Sequence, residues 1–466
     1  MTLNELQKKV VGLYEKVVLL DGSRIPYVNF DNASSTPTFL PVQQKVDEFC
    51  KWYSNVHRGT GFKSQISSWV FEEARDTIAK FVNADEKSSV IFCKNTTEAI
   101  NKLAGRFRCP AAGGEKPVIL TTIMEHHSNE LPWRQIGEVI HVGLNPDGTI
   151  DITDFDEKLR KYRGLIQLVA VTGASNVTGY INPIHDLARK AHSIGAEIVI
   201  DAAQLAPHRP IDVRPSTDPE HLDYVAFSAH KMYAPYGIGV LVTTKNIFKI
   251  GAPQHVGGGT VDIVSLESVY WKDLPEREEA GTPDIIGVVA LAKVIMLINE
   301  VGFQSIIDHE AKLTSYALKK LSEMPEVIIY GERNPEKAHE RLGVIALNIE
   351  GINHALAAAI LSYEGGIGVR NGCFCAHPYV KRLLGVDRED AKKVEEYILA
   401  RDRSKIPGTI RVSFGLYNAT EEIDHLCEMI KMIIEKKYKG KYLLNKERGD
   451  YYPEGFEMNF PSFFHL

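Results

Sequence analysis

The sequence predicts an α/β protein, with a large domain on a mostly parallel sheet and a smaller α+β domain after it. Three observations carry this. From about residue 27 to residue 301, short apolar runs alternate with helical patterns, the rhythm of a parallel sheet covered by helices. After about Gly302 that rhythm changes. The apolar run 224–227 ends abruptly in Ser228-Ala229-His230-Lys231, so a buried strand delivers a lysine to its own end.

Taken in order, residues 1–10 read as an amphipathic helix and lack the pattern of a signal peptide. Strands are expected at 89–92, 117–121, 165–172, 197–200, 224–227 and 238–242. Between two of them, Ile184, Leu187, Ala188 and Ala191 fall at helical spacing, and Gly195 stops the helix. In the second domain, strands are expected at 327–330, 343–349, 366–370 and 409–414, with helices at 354–363 and 421–437. The tail ends in Phe456, Phe460, Phe463 and Phe464, a cluster expected to dock, since exposed phenylalanines are a solubility liability. The expected domains are 27–300 (large), 1–26 with 301–438 (small), and the tail 439–466.

Composition narrows the function classes. The 466 residues are 44% hydrophobic and 24% charged, ordinary for a globular enzyme. A net charge of -6 without a basic block gives no support to nucleic-acid binding. No apolar run reaches the length of a membrane span. Six cysteines in a chain this long make no disulfide framework, so a reducing cytoplasm is the expected location.

The chemistry-bearing residues sit where parallel sheets place ligands, at the carboxyl ends of strands. Lys231 ends one strand and Asp201 another. A desolvated lysine is a nucleophile for aldehydes, and a buried acid can hold a pyridinium proton, the minimal protein contribution to pyridoxal phosphate chemistry. The bland readings are a snorkelling lysine and a helix-capping aspartate. The stretch 92–100 is a strand end, a polar turn and a helix start, an anion site or a simply capped helix, with Asn95 or Thr96 as the cap. His126 or His127 could cover a flat ring, or the pair could be surface loop residues; as adjacent residues they share one metal ion poorly. The loop Arg370-Asn371-Gly372-Cys373-Phe374-Cys375-Ala376-His377 leaves four readings open: a metal set of Cys373, Cys375 and His377, a strained redox pair, a nucleophilic cysteine activated by Arg370, or two inert packed thiols.

At this point the chain resembles the class V aminotransferase-like cysteine desulfurases, especially the group with a short cysteine loop. The motifs that carry the resemblance are 29–37, 55–59, 95–98, 124–127, 175–179, 201–204, 228–231, 280–283, 370–378 and 410–413, spread over nearly the whole chain. The resemblance implies the fold-type I pyridoxal-phosphate architecture with a seven-stranded-type sheet, and a homodimer with sites at its interface. It implies that Lys231 carries pyridoxal 5'-phosphate and moves the substrate proton, Asp201 meets the ring nitrogen, Gln204 the ring hydroxyl, and His126 the ring face. Thr96, Thr97, Ser228 and His230 would hold the phosphate, with Thr282 from a second subunit. Asn176, Arg370 and Arg411 would bind substrate, and Cys375 would take its sulfur as a persulfide. The implied reaction turns L-cysteine into L-alanine and passes sulfur to an acceptor protein, for iron–sulfur cluster assembly or another pathway. The alternative is another class V enzyme: a selenocysteine lyase acting on L-selenocysteine, a carbon–sulfur lyase or an epimerase. The sequence departs from the family pattern at Cys373 and Phe374, where histidines are frequent, at 62–65, and in its long tail.

Overall fold

The computed structural model describes residues 1–57, 59–84, 89–107, 116–243, 246–249 and 251–466; Arg58 of the 55–59 motif lies outside them. Seven strands form the central sheet: β1 (Ser89–Cys93), β2 (Val118–Thr122), β3 (Glu138–Val142), β4 (Ile166–Thr172), β5 (Glu197–Asp201), β6 (Tyr224–Ser228) and β7 (Gly239–Thr243). Their order is β1-β7-β6-β5-β4-β2-β3. Neighbours from β6 to β3 are parallel, and β7 runs antiparallel to both β1 and β6. The expected rhythm therefore holds with one reversed strand. β2, β6 and β7 are buried along their whole length, which is why they read as unbroken apolar runs. Gly239 opens β7 because a Cβ there would lie 2.5 Å from the Asn95 backbone. Only glycine lets the turn after β1 approach so closely.

The second domain is a four-stranded antiparallel sheet of β8 (Val327–Tyr330), β9 (Val344–Ile349), β10 (Arg370–Gly372) and β11 (Thr409–Ser413), ordered β8-β9-β11-β10. The helices His354–Gly365 and Thr420–Ile434 cover it, as expected. The expected strand 366–370 is split. Ile367–Gly368 pairs in parallel with Val28–Asn29, and the chain then steps into β10. This split carries residues 28–34 across to the second domain, and Val28 and Phe30 pack in its core. Leu6 and Val10 pack with the large core instead. The boundary expected after residue 26 thus runs through interleaved segments.

Several elements have no counterpart among the expected ones, including the edge strand β3 of the central sheet and the hairpin Val261–Val264 with Val269–Trp271. The helix Arg388–Leu399 lies outside the core, with Val394 its one buried side chain among those described. The tail forms a hairpin, Tyr442–Asn445 with Asp450–Pro453. It docks through the Glu364 carboxylate, which accepts from the Lys439 and Gly440 amides (2.8 and 2.9 Å) and the Tyr442 hydroxyl (3.0 Å). Phe456 packs edge-on against Tyr363, but Phe460, Phe463 and Phe464 stay exposed, so only the front of the tail docks as expected. Among the described residues, no single helix is long and apolar enough to cross a membrane.

Candidate active site

A cavity of about 350 Å³ opens at the carboxyl ends of β4, β5 and β6, facing the cysteine loop of the second domain. Twelve residues singled out from the sequence line it: Lys231, Cys375, His126, Thr96, Thr97, Asp201, Gln204, Ser228, His230, Asn176, Arg370 and Arg411. Thr282 does not; it lines a separate cavity with Lys94, Glu98 and His255.

The floor is built by adjacent parallel strands. Asp201 is the last residue of β5 and is 4% exposed. Its Oδ1 accepts the Ala203 N–H at 3.0 Å, so the local turn partly compensates a buried carboxylate. Burial still raises its pKa. Lys231 lies in the short turn Ala229–Lys231 that follows β6. Desolvation lowers its amine to about 8, against the pull of Asp201 in the other direction. A free amine is therefore accessible near neutrality, where an ordinary lysine would be protonated.

His126 forms one wall. Its Nδ1 accepts the Ser128 N–H at 3.1 Å, which assigns the ring proton to Nε2. Burial, with the Lys231 charge adding to it, pushes His126 down to about 3, so it is a neutral ring at working pH. Behind it the buried Glu125 accepts from Thr122 Oγ1 and Asn129 Nδ2, both at 2.7 Å, and Asn129 Oδ1 accepts from Trp133 Nε1 at 3.2 Å. This network fixes the turn His127–Asn129 that carries both histidines. Gln204 is held by its Nε2 donating to the Ala33 carbonyl at 2.7 Å.

The opposite end is an anion cradle at the start of the helix Thr96–Arg106. Asn95 is the N-cap, accepting the Glu98 N–H at 3.0 Å. Thr96 N–H donates to Ser228 Oγ at 2.7 Å and the two hydroxyls meet at 2.6 Å, which ties the helix start to the end of β6. Thr97 and Ser128 hydroxyls join at 2.7 Å. Burial lowers His230 to about 4. The capping and anion-site readings of this turn are thus both built into it.

The cysteine loop is pinned, not loose as its glycines suggest. Phe374 and Cys375 are consecutive non-glycine residues in the left-handed region, with φ 51 and 55. Such a pair persists only where surrounding contacts impose it. Asn176 Nδ2 donates to the Phe374 carbonyl at 2.9 Å, His127 N–H to the Cys375 carbonyl at 2.7 Å, and Ala376 N–H to the Cys373 carbonyl at 2.8 Å. The result is an exposed Cys375 thiol at the cavity and a buried Cys373 turned away from it, its Sγ donating to the Pro407 carbonyl at 3.1 Å. Both are free thiols. Burial pushes Cys373 up to about 11, making it a poor nucleophile. Cys373→Ser keeps a donor for Pro407 and is expected to hold sulfur release within about threefold of wild type. A loss as deep as that of Cys375→Ser, in a sulfide-release assay, would instead make Cys373 a relay thiol.

Arg411 and Arg370 stand directly opposite each other in the β10–β11 register. Arg411 is 2% exposed, and its buried Nε has no hydrogen-bond partner. Its Nη1 donates to the Asn176 carbonyl at 3.0 Å, and the Phe374 ring stacks 4.9 Å from its guanidinium. A buried donor left open at a cavity wall calls for an acceptor from a ligand. Among the described residues, one trio could approach a metal: His192, His221 and Asp223, at the other end of β5 and β6. Its rings stack 4.2 Å apart at 18°, and each Nε2 meets a different Asp223 oxygen, at 2.8 and 2.9 Å. One ion cannot lie in the planes of two such stacked rings, so the trio is a hydrogen-bonded buttress.

Residues 28–426 match the aminotransferase class-V family model. The chain belongs to the class-V aminotransferase family. Enzymes of this family depend on pyridoxal phosphate in general. A probable cysteine desulfurase of Halalkalibacterium halodurans is 35% identical over 94% of this chain and 99% of its own length. A cysteine desulfurase of Haloferax volcanii is 32% identical over 91% of this chain and 93% of its own. Among solved structures, the apo cysteine desulfurase of Thermococcus onnurineus superimposes with a TM-score of 0.76 at 33% identity, covering 88% of this chain and 95% of that one. The family resemblance carried by the motifs and the α/β architecture are therefore both borne out. Sequence reasoning does not reach the roles of Asp31, Ser34, Ser128, Phe374 and Glu125, although 29–37 and 124–127 stand out as motifs. Asp31, Ser34 and Phe374 make their decisive contacts across the fold, whereas Glu125 is held by near neighbours in sequence, Thr122 and Asn129, and no local pattern announces either.

Proposed function

We propose that this chain is a cysteine desulfurase that binds pyridoxal 5'-phosphate and converts L-cysteine to L-alanine, holding the sulfur as a persulfide on Cys375. The observation that carries this is the exposed Cys375 thiol facing Lys231 and Asp201 across one cavity. The residues fit the cofactor: a buried acid, a desolvated amine, a neutral ring wall and an anion cradle share a space large enough for it. When bound, the cofactor supplies a sink for the electron pair released at the substrate Cα.

The chain's own residues then divide the work. Lys231 would hold the cofactor, and its free amine is placed to take the substrate Cα proton and return one. Asp201 would favour the protonated ring nitrogen, Gln204 would meet the ring hydroxyl, and the neutral His126 would pack on the ring without competing charge. Thr96, Thr97, Ser228 and His230 would enclose the phosphate, the Thr96–Ser228 pair mainly as its frame. Arg411, through its open Nε, takes the substrate carboxylate, with Asn176 and Arg370 shaping that end. The Cys375 thiolate attacks the substrate sulfur; the new S–S bond forms as the C–S bond breaks, and that electron pair returns to the substrate carbon, which is then protonated. Thr282, which lines a separate cavity, fits a role completed by a second copy of the chain, and we take the active form as a homodimer in the cytoplasm. The persulfide passes to an acceptor protein, consistent with iron–sulfur cluster assembly.

Incubating the cofactor-loaded protein with L-cysteine is expected to give alanine in amounts matching added sulfur, with one extra sulfur on the peptide bearing Cys375 by mass spectrometry. Alanine with sulfide but no persulfide would overturn the reading in favour of a lyase.

A further inference from the structure

The helix that follows the cysteine loop, His377–Leu383, belongs by sequence to the second domain, yet it is fastened to the large one. Ala376, Tyr379 and Val380 are buried in the large core. The Tyr379 hydroxyl donates to the Gly148 carbonyl at 2.9 Å and meets Thr178 Oγ1 at 2.8 Å. A phenol has one proton, and Gly148 takes it, so Thr178 donates the second bond. Thr178 is itself fixed: it is buried, and its carbonyl accepts from Arg341 Nη2 at 2.6 Å. The same turn, 175–179, also holds the other side of Cys375, since Asn176 Nδ2 donates to the Phe374 carbonyl at 2.9 Å. One turn of the large domain therefore grips the chain on both sides of the thiol. Lys231 and Asp201 stand on that same domain.

We propose that Tyr379 is a positioning residue for the sulfur transfer: its hydroxyl, held between Gly148 and Thr178, fixes where the Cys375 thiol stands relative to the substrate sulfur. Phe374 and Cys375 sit in the left-handed region, a costly conformation that relaxes when a grip is released. A nucleophile displaced by about 1 Å can lose on the order of 100-fold in rate, and one grip among several is expected to carry about tenfold of that. Substrate binding has separate anchors. Arg411 Nη2 pairs with Asp31 Oδ1 at 3.0 Å, and Arg370 Nη2 with Asp31 Oδ2 at 2.8 Å, and neither pair passes through the helix. Release of the Tyr379 grip therefore slows the transfer and leaves affinity alone. Tyr379 touches neither substrate nor cofactor. The inference rests on the proposal that Cys375 attacks the substrate sulfur.

The test is rapid-quench measurement of alanine formed in the first turnover of the cofactor-loaded enzyme, over a range of L-cysteine concentrations. Tyr379→Phe keeps the ring in the core and removes the hydroxyl. It is expected to lower the maximal first-turnover rate about tenfold, with the half-saturating L-cysteine concentration and the cofactor absorbance within about twofold of wild type. Thr178→Val removes the shared bond from the other side and is expected to slow the same step. The double variant is expected to match Tyr379→Phe, because the two hydroxyls share one bond. Thr178→Ser keeps the donor and is expected to hold the rate within about twofold of wild type. A Tyr379→Phe rate within about twofold of wild type would overturn the inference. So would a rise in the half-saturating concentration as large as the loss of rate, or a loss of cofactor absorbance, either of which marks general loosening of the fold. If Tyr379→Phe does not fold, Thr178→Val is held to the same criteria. The two readings fail separately. Wild-type enzyme that makes alanine with no extra sulfur on the Cys375 peptide ends the role of Cys375 itself; a wild-type persulfide with an unchanged rate in the variant ends only the role of Tyr379.

Discussion

Cys375→Ser is expected to lower alanine formation from L-cysteine by at least about 100-fold, with no persulfide recoverable, while cofactor binding is unchanged. The expectation follows from where the loop places the thiol. Cys375 lines the cavity but makes its hydrogen bond through its backbone carbonyl, to the His127 amide at 2.7 Å, so the side chain is not part of the scaffold. Serine can adopt the same backbone pins and leaves the cofactor pocket on β5 and β6 untouched. The hydroxyl, however, is a far weaker nucleophile towards sulfur than a thiolate. The measurement is steady-state alanine production together with the visible spectrum of the loaded enzyme. Sulfide release at the wild-type rate from the variant would eliminate the persulfide route and favour a carbon–sulfur lyase. A variant that keeps its activity on L-selenocysteine while losing it on L-cysteine would favour the selenocysteine lyase reading, because the selenium–carbon bond is broken more readily without a protein thiol.

The loop also shows where a sequence stops being legible. Strand ends can be read one at a time, because a buried strand is an unbroken apolar run and its first polar residue marks the edge. That is why Asp201 and Lys231 are assigned to one rim from their strand ends alone, and the parallel pairing of β5 with β6 puts them there. The cysteine loop can be located but not shaped. Its glycines suggest easy bending, whereas its conformation is held by Asn176, His127 and Pro407, residues that come from three distant parts of the chain. Nothing in the local pattern separates the two thiols, and only burial does: Cys373 turns inward to a carbonyl and Cys375 outward to the cavity. The crossing of residues 28–34 between domains is hidden for the same reason. A two-residue strand pairing, Val28–Asn29 with Ile367–Gly368, has no periodicity to detect, yet it carries Asp31 to the arginines.

Lys231→Ala is expected to reduce desulfuration by at least about 1,000-fold, the larger of the two effects, because in the proposed mechanism one side chain would both hold the cofactor and move the Cα proton. The two roles can be separated. Pyridoxal phosphate added to Lys231→Ala still finds the cradle of the helix Thr96–Arg106, the Asp201 carboxylate and the neutral His126, so non-covalent uptake is expected to persist with a weaker, shifted visible absorbance. Added methylamine can then supply the missing amine to the cofactor but not to the substrate Cα at the right geometry, and rescue of turnover is expected to remain far below wild type. The wild-type apo protein gives a second readout. Desolvation holds the Lys231 amine at about 8, well below an ordinary lysine, so the free-amine fraction reaches one half near that pH and levels off about one unit above it. The initial rate of cofactor uptake by the apo protein is therefore expected to climb from pH 6, pass half its maximum near pH 8 and flatten about one unit higher; the measurement is stopped-flow absorbance on mixing with pyridoxal phosphate. His126 and His230, pushed down to about 3 and 4, do not titrate in that window; the buried Glu125, pushed up to about 8, does, so the rise belongs to the amine where it persists in Glu125→Gln. A profile that keeps rising to pH 10 would mean that Lys231 is solvated like a surface lysine, and that the floor of the cavity does not prepare it for the aldehyde. Asp201 sets the lower limit of this tuning: it pulls the amine upward while burial pulls it down. Asp201→Asn removes the upward pull, and the plateau of the uptake profile should then begin at lower pH.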